Sequence, residues 1–449
     1  VTLRERERAA LAGDGRLQAS IRRSADNVHD RWLLTRTELE DADGLREAAR
    51  SLRSAAIARL PELLAQLADN VEAAGGSVFF AGDAEEASGY VAGVARRRGV
   101  KLAVKSKSMV SEEIGLSERL QAIGVEAIET DLGEWAQQLD GEPPSHILAP
   151  AMHKSYEDWV RVLAPLGYDG GVDANAMTAF ARRTLRQSFL EAGMGITGVN
   201  LAIAESGTLM TVTNEGNGRL TAGRPPVHVA IMGMERIVAS WAEADLLLAL
   251  LSRAGAGVSI GTYVNFVTGP RRPGDLDGPE ELHLVIVDNG RSNVLGSASQ
   301  EALNCIRCGA CLNACPVFRQ IGGHAYGDVY SGPIGAVIVP LLREGQEELS
   351  HASSLCGACW KACPVAIPLH DLLLQGRADH AGSERALWRA WAAAWSSPRA
   401  FALSGAPAGL RPPQSLVPPP FREWARGREL PHREGATFRA RWRRGEVLE

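Results

Sequence analysis

Hydrophobic positions along this chain change their period at about residue 73. Before it they recur at helical spacing among many charges: Leu52, Ala56, Leu60, Leu63, Leu64 and Leu67 form one stripe, the mark of an amphipathic helix. Pro61 either starts a new helix there or kinks the old one. Arg22, Arg23, Arg31 and Trp32 read either as a contact surface for a partner or as part of a solvated helical cap on the next domain.

From Gly75 short apolar runs alternate with amphipathic stretches. Ser77–Phe80 and Lys101–Val104 are predicted strands, Ala84–Arg98 and Ser111–Ile123 predicted helices, and Glu126–Glu129 and His146–Leu148 continue the alternation. Strands separated by helices imply βαβ units and a parallel sheet. Ligands bind beyond the carboxyl ends of such strands, so Lys105, Ser106 and Ser108 read as an anion-binding loop or as a plain turn with a helix cap. Thr184–Ala192 is a further helix. Gly193, Gly195 and Gly198 lack the G-x-G-x-x-G spacing after a strand and are read as a loop before a strand at Gly198–Glu205. Thr208, Met210 and Val212 alternate as a strand does, with a polar turn beyond. Val227–Met232 and Leu282–Val287 complete the strand set, the second ending in the polar turn Asp288–Arg291. His228, Arg236 and His283 read as structural. Glu205 and Glu215, with Thr208, Asn217 and Arg219, either line a pocket for a carboxylate or phosphate or sit on a glycine-rich hairpin with the acids in water.

The sharpest chemistry is in the cysteines. There are 7, at 305, 308, 311, 315, 356, 359 and 363, with proline after Cys315 and Cys363. The first run has the C-x₂-C-x₂-C-x₃-C-P spacing of bacterial ferredoxins, in which the fourth thiolate of each run serves the other of two clusters. Proline ends each run and directs its last cysteine away. Crosswise pairing assigns Cys305, Cys308, Cys311 and Cys363 to one iron–sulfur cluster, and Cys315, Cys356 and Cys359 to the other. The second is one ligand short: Ser353 aligns with Cys305, and Ser353, Ser354, His351, water, a partner, or a missing iron in a [3Fe–4S] core are the open alternatives. An odd number of cysteines in two short runs is no disulfide framework, and a four-cysteine run ending in proline suits one tetrahedral zinc ion poorly. Between the runs, the glycine-rich stretch from Gly322 to Gly335 reads as a flexible insert that wraps a cluster, with His324 and Tyr326 in its shell. Leu369–Leu374 is a packing helix.

Length allows two or three domains of about 100–200 residues. A hydrophobic share of 45% and a charged share of 22% are ordinary for a globular protein. A net charge of -5 argues against a general nucleic-acid binder. Val1–Arg23 alternates arginines and acids without an apolar core, unlike a secretory signal, and the apolar run Ala244–Leu251 is too short to cross a bilayer. A cytoplasmic location is the expectation. From Gly376 the chain carries 13 arginines against 7 acids, 5 tryptophans and the cluster Pro418–Pro420, which reads as an extended arm lying on something else.

These features together resemble the iron–sulfur members of the LUD-domain family. The resemblance rests on Glu205–Thr208, Asn214–Gly218, Asp288–Arg291, the run Cys305–Pro316, Gly322–Gly327, Ser353–Cys359 and Cys363–Pro364, and spans roughly residues 30–445. It implies an α/β fold: a Rossmann-like LUD domain similar to CoA transferases and sugar-phosphate isomerases, fused to an α-helical two-cluster ferredoxin-like module. The expected regions are helices at 1–72, the LUD domain at 73–296, the ferredoxin-like module at 297–376 and the arm at 377–449. The resemblance implies a role in oxidising L-lactate to pyruvate with two companions, a cysteine-rich protein and a smaller LUD protein, and seven cluster cysteines in the family too. The expected function is an electron-relaying subunit with two [4Fe–4S]-type clusters. The rivals are an acyl-transfer-like enzyme using Glu205 or Glu215, and a redox sensor built on the three-thiolate cluster.

Overall fold

Alternate residues of the two central strands enter different cores. The computed structural model describes residues 1–261, 263–380, 384–404 and 438–445. Along Val227–Gly233, Val227, Val229 and Ile231 pack with Ala87, Val91 and Ile196, whereas Ala230 and Met232 pack with Leu60, Leu63 and Leu67. Glu281–Val287 divides in the same way, Val285 and Val287 on the first face and Leu282, Leu284 and Ile286 on the second. Successive strand residues point to opposite faces, and strands apolar at nearly every position belong to a parallel sheet covered on both sides.

That sheet has six strands: β1 (Ser77–Ala81), β2 (Leu102–Lys105), β3 (Glu126–Glu129), β4 (Met194–Gly198), β7 (Val227–Gly233) and β10 (Glu281–Val287). Their order is β1-β10-β7-β4-β2-β3, every pair parallel. A second, four-stranded sheet has the order β8 (Ile237–Val238), β5 (Leu201–Ile203), β6 (Thr208–Thr213) and β9 (Tyr263–Val267). The parallel sheet bears out the α/β expectation. Helix Ala84–Arg97 covers one face through Ala87, Val91, Val94 and Ala95, its start capped by Asp83 accepting from the Glu86 N–H. Helix Leu60–Ala73 covers the other, with Pro61 in its first turn, so the proline starts a helix where a missing N–H costs nothing.

Contacts divide the chain into two units, Val1–Asp379 and His380–Glu449. The helices Leu3–Leu11, Arg16–Arg36 and Ala42–Ala58 belong to the first unit, and Trp32 is in its core. The tryptophan is therefore not surface for a partner, although Arg22, Arg23 and Arg31 are exposed. In the second unit Glu384–Ser396 and Pro398–Ser404 are helical, and along the first of them Trp388 meets Trp391 edge-on while Trp391 stacks on Trp395. An extended arm is thus wrong for these residues, because their tryptophans recur at helical spacing. Pro418–Pro420 lies outside the described residues.

Five local expectations are corrected. Ser111–Ile123 is two short helices, Met109–Glu113 and Leu116–Gln121, separated by Gly115 at φ 60°. His146–Leu148 is no strand: the His146 Nδ1 accepts the N–H of Leu148 at 3.0 Å and of Ala149 at 2.9 Å, curling the chain around the imidazole. All but the first residue of the supposed loop Gly193–Gly198 is β4, and the strand expected at Gly198–Glu205 is only β5. The insert between the cysteine runs is ordered and largely buried, with Tyr326 inside and Gly332–Leu342 helical.

Candidate functional site

Each cysteine run folds as a tight loop leading into a helix of 5 residues, Ala310–Ala314 and Ala358–Ala362. Gly309 at φ 75° and Gly357 at φ 78° open these helices, in a left-handed conformation that glycine adopts without steric cost. Cys315 and Cys363 leave them in extended conformation.

The neighbours of the seven thiols cross between the two runs. The charged neighbours of Cys308 are Cys363 and Cys305, and those of Cys311 are Cys305, Cys308 and Cys363, then Cys359. Cys315 lies near Cys356, and Cys359 near Cys315 and Cys356. The last cysteine of each run is thus beside the other run. Burial pushes the Cys359 thiol up to about 12 and that of Cys363 to about 11. Cys356 is exposed and lowered, chiefly by the Ala358 N–H and then the Ser354 hydroxyl. Among the described residues no three His, Cys, Asp or Glu side chains converge as a single metal ion requires.

Arginines, most of them from distant elements, hold the carbonyls of these loops. Arg236 donates to the oxygens of Cys305 at 2.7 Å and Ile306 at 3.1 Å. Arg46 donates to those of Cys363 at 2.6 Å and Trp360, and Arg319 to that of Asn313 at 2.6 Å. Arg53, fully buried, reaches Asn304 at 3.3 Å, Leu303 at 3.2 Å, Ile237 at 2.6 Å and the Glu235 carbonyl. With carbonyls engaged from outside, loop N–H groups turn toward sulfur: Arg307 N–H donates to Cys305 Sγ at 3.3 Å and Phe318 N–H to Cys315 Sγ at 3.5 Å. Sequence reasoning read Arg236 as structural and missed Arg46, Arg53 and Arg319. The one available signal was Arg53 inside the apolar stripe of Ala49, Ala56 and Ile57.

The donor set fits iron–sulfur clusters. Buried thiols are costly as bare thiolates, and coordination to iron removes the proton and supplies the compensating charge. The Tyr326 hydroxyl is buried with no hydrogen-bond partner, and its nearest charged neighbours are Cys315 and Cys311, so it can donate toward cluster sulfur. His324 is exposed and bonded to the Pro143 carbonyl at 2.8 Å, outside that shell.

A cavity of about 420 Å³ adjoins the first loop. Lys107 and Ser108 after β2, Asp131 after β3, Asn200 after β4, Glu235 after β7 and Arg291 after β10 line it, with Arg307 and Tyr330 from the cysteine segment. It sits beyond the carboxyl ends of the strands, where the strand order reverses between β2 and β4, as open α/β sheets dictate. Lys105 is instead buried on Glu112, Ser117 and Glu129. Ser108 caps helix Met109–Glu113, and Ser106 is buried. Glu215 lines the cavity; burial, then Asp131, pushes its carboxyl up to about 7. Asn217 lines it too, with its Oδ1 unpaired. Glu205 does not: it is exposed and accepts the Trp241 N–H at 2.7 Å. Thr208 is buried against Ser206 and Thr268, and Arg219 is exposed, so the expected five-residue cluster is split. His228 is buried on Thr197 at 2.8 Å, and His283 bonds Tyr90 at 3.0 Å.

Behind the cavity Arg291 binds Glu113 through two bonds, at 2.8 and 2.7 Å, and Glu235 at 2.8 Å. Tyr330 donates to Glu113 at 2.6 Å, and Arg307 donates to Glu235 at 3.3 Å beneath the Tyr330 ring. This buried network ties the sheet to the first cysteine loop.

Residues 64–287 match the LUD domain and residues 301–367 the 4Fe-4S dicluster domain. Lactate utilization protein B of Bacillus licheniformis is 44% identical over 94% of this chain and 92% of its own. That of Shouchella clausii is 50% identical over 81% and 78%, and that of Bacillus subtilis strain 168 is 44% identical over 94% and 92%. The crystal structure of a duf162 family protein from Deinococcus radiodurans aligns with 51% of this chain and 98% of its own, at 15% identity and a TM-score of 0.30. Identity of this extent, along both the α/β sheet and the two cysteine loops, means that the chain belongs to the lactate utilization protein B family of LUD-domain iron–sulfur proteins.

Proposed function

We propose that this chain relays electrons during oxidation of L-lactate to pyruvate. That reaction releases two electrons and two protons, whereas an iron–sulfur cluster takes one electron at a time, so two adjacent clusters can accept the pair in sequence. Cys305, Cys308, Cys311 and Cys363 hold one cluster and Cys315, Cys356 and Cys359 the other, each supplying one-electron chemistry when bound. The carbonyl-holding arginines fix the loops and place positive charge beside the reduced sites, and Tyr326 and the N–H groups of Arg307 and Phe318 donate toward sulfur. Removal of hydrogen from lactate belongs to a companion: a cysteine-rich protein or a smaller LUD protein, in a cytoplasmic complex. The observation that supports this reading is the exchange of neighbours between the runs, Cys363 with Cys305 and Cys308, and Cys315 with Cys356 and Cys359.

EPR of the anaerobic protein with its companions tests it. L-lactate should produce reduced-cluster signals, and Cys315→Ser should perturb the cluster held by Cys356 and Cys359 and spare that of its own run. A spectrum indifferent to lactate in the assembled complex sinks the relay.

One observation favours a second reading, an acyl-transfer-type enzyme: Glu215, held near 7, lines the cavity and is suited to a base. If Glu215→Gln leaves lactate-dependent cluster reduction intact, Glu215 has no part in that electron path.

A further inference from the structure

The second cysteine loop repeats the first position by position. Arg307 and Leu355, each directly before a cysteine, are non-glycine residues at φ 58° and 56°. Leu312 N–H donates to the Gly309 carbonyl at 3.0 Å, and Trp360 N–H to that of Gly357 at 3.1 Å. Cys315 N–H donates to Leu312 at 3.1 Å, and Cys363 N–H to Trp360 at 3.2 Å. The two exits also agree, at φ −80°, ψ 119° for Cys315 and φ −71°, ψ 118° for Cys363.

In this repeat Ser353 stands where Cys305 stands. Arg307 N–H donates to Cys305 Sγ at 3.3 Å; Leu355 N–H donates to Ser353 Oγ at 3.1 Å. A left-handed conformation is unfavourable for a residue with a Cβ, and the fold accepts it twice in the same place. In both loops it accompanies an N–H aimed back at the side-chain atom two residues earlier.

We propose that Ser353 Oγ is the fourth protein ligand of the cluster held by Cys315, Cys356 and Cys359. This rests on the cluster assignment above. Of the other nearby candidates, Ser354 is exposed and already spends its hydroxyl on the Cys356 thiol, and His351 is exposed at the end of the turn Glu347–His351; neither stands at the position of Cys305 in the repeat. Arg377 donates to the carbonyls of Ser353 at 2.7 Å and Ser350 at 2.9 Å, anchoring the segment from outside. On coordination the Oγ–H bond breaks, an iron–oxygen bond forms and the proton passes to water; no electron moves. An alkoxide is a harder donor than a thiolate and favours the ferric state, so this site should have the lower potential.

Mössbauer and EPR spectra of the anaerobic full-length chain, with iron and acid-labile sulfide analysis, test the assignment. The wild type should show one oxygen-ligated iron site. Ser353→Cys should keep the iron content, lose that site and raise the potential of this cluster. Ser353→Ala should lose one iron and show an oxidised [3Fe–4S] signal, while the cluster on Cys305, Cys308, Cys311 and Cys363 serves as the internal folding control. Should Ser353→Ala fail that control, Ser353→Cys, nearly equal in size, decides by itself. An unchanged spectrum in either folded variant, or three irons in this cluster in the wild type, overturns the ligand. Absence of iron and sulfide from the wild type overturns instead the cluster assignment on which it rests.

Discussion

Arg291 neutralises two buried carboxylates at once, and its removal strands Glu113 while Glu235 keeps Arg307. Breaking such a pair by deleting one partner costs about 3–5 kcal/mol, so Arg291→Met should lower the unfolding free energy measured in urea by that amount. Burial pushes the Glu235 carboxyl up, but Arg291, Arg307 and Arg236 outweigh it and hold it at about 2. Its pKa is depressed on folding, so its contribution is present above the ordinary value of 4.5 and is lost as pH falls toward 2. Glu215 has the opposite sign. Raised to about 7, it is favourable while protonated and costs stability as pH rises from its unfolded value through 7. Glu215→Gln should therefore lose less melting temperature than the wild type between about pH 5 and pH 8, by scanning calorimetry. Glu205 and Glu215 were indistinguishable in the sequence, both acids beside glycines. Their separation follows from β6, which carries the chain from an exposed turn to the mouth of the cavity.

At the scale of elements, β4 is the instructive case. A Cβ on Gly195 would lie 1.8 Å from the Thr221 carbonyl oxygen, so only glycine lets helix Asn217–Gly223 approach the strand. Gly195→Ala should cost roughly 1–3 kcal/mol or more, as overpacking does, seen as a lower melting temperature. The same glycines that permit this approach made the segment resemble a loop, because their value lies in what packs on them. β7 and β10 were legible, since long apolar runs have few other uses. β9, with its mixed polar and apolar residues, was not: its partner is β6, paired through Thr211 with Asn265 and Val212 with Val264, and no local pattern records that pairing. The insert between the cysteine runs misled through its glycines, while its apolar stretch Ile334–Val339 forms a buried helix.

For the first unit as a whole, the cysteine loops are gripped by arginines from the N-terminal helices and the α/β sheet, and their buried thiols depend on metal for charge compensation. Stripping iron by oxidation and chelation should therefore loosen the loops before the sheet. Hydrogen exchange read by mass spectrometry should show protection lost in residues 305–316 and 353–364 and retained in β7 and β10. Equal loss in both would mean that the unit opens as one. Among the described residues no helix is long and apolar enough to cross a membrane.

What the sequence determined alone was local in origin. Cysteine spacing, strand-length apolar runs and helical stripes each have their cause within a few residues, so the α/β sheet and the ferredoxin-like loops could be read directly. Tertiary structure decided everything that needs a partner distant in the chain. It placed Glu215 in the cavity and Glu205 outside it, turned a glycine run into a central strand, and joined Arg53 and Arg46 to loops 251 and 317 residues away. A side chain's role there depends on which carbonyl, carboxylate or backbone the fold brings within reach, and one-dimensional order does not contain that distance.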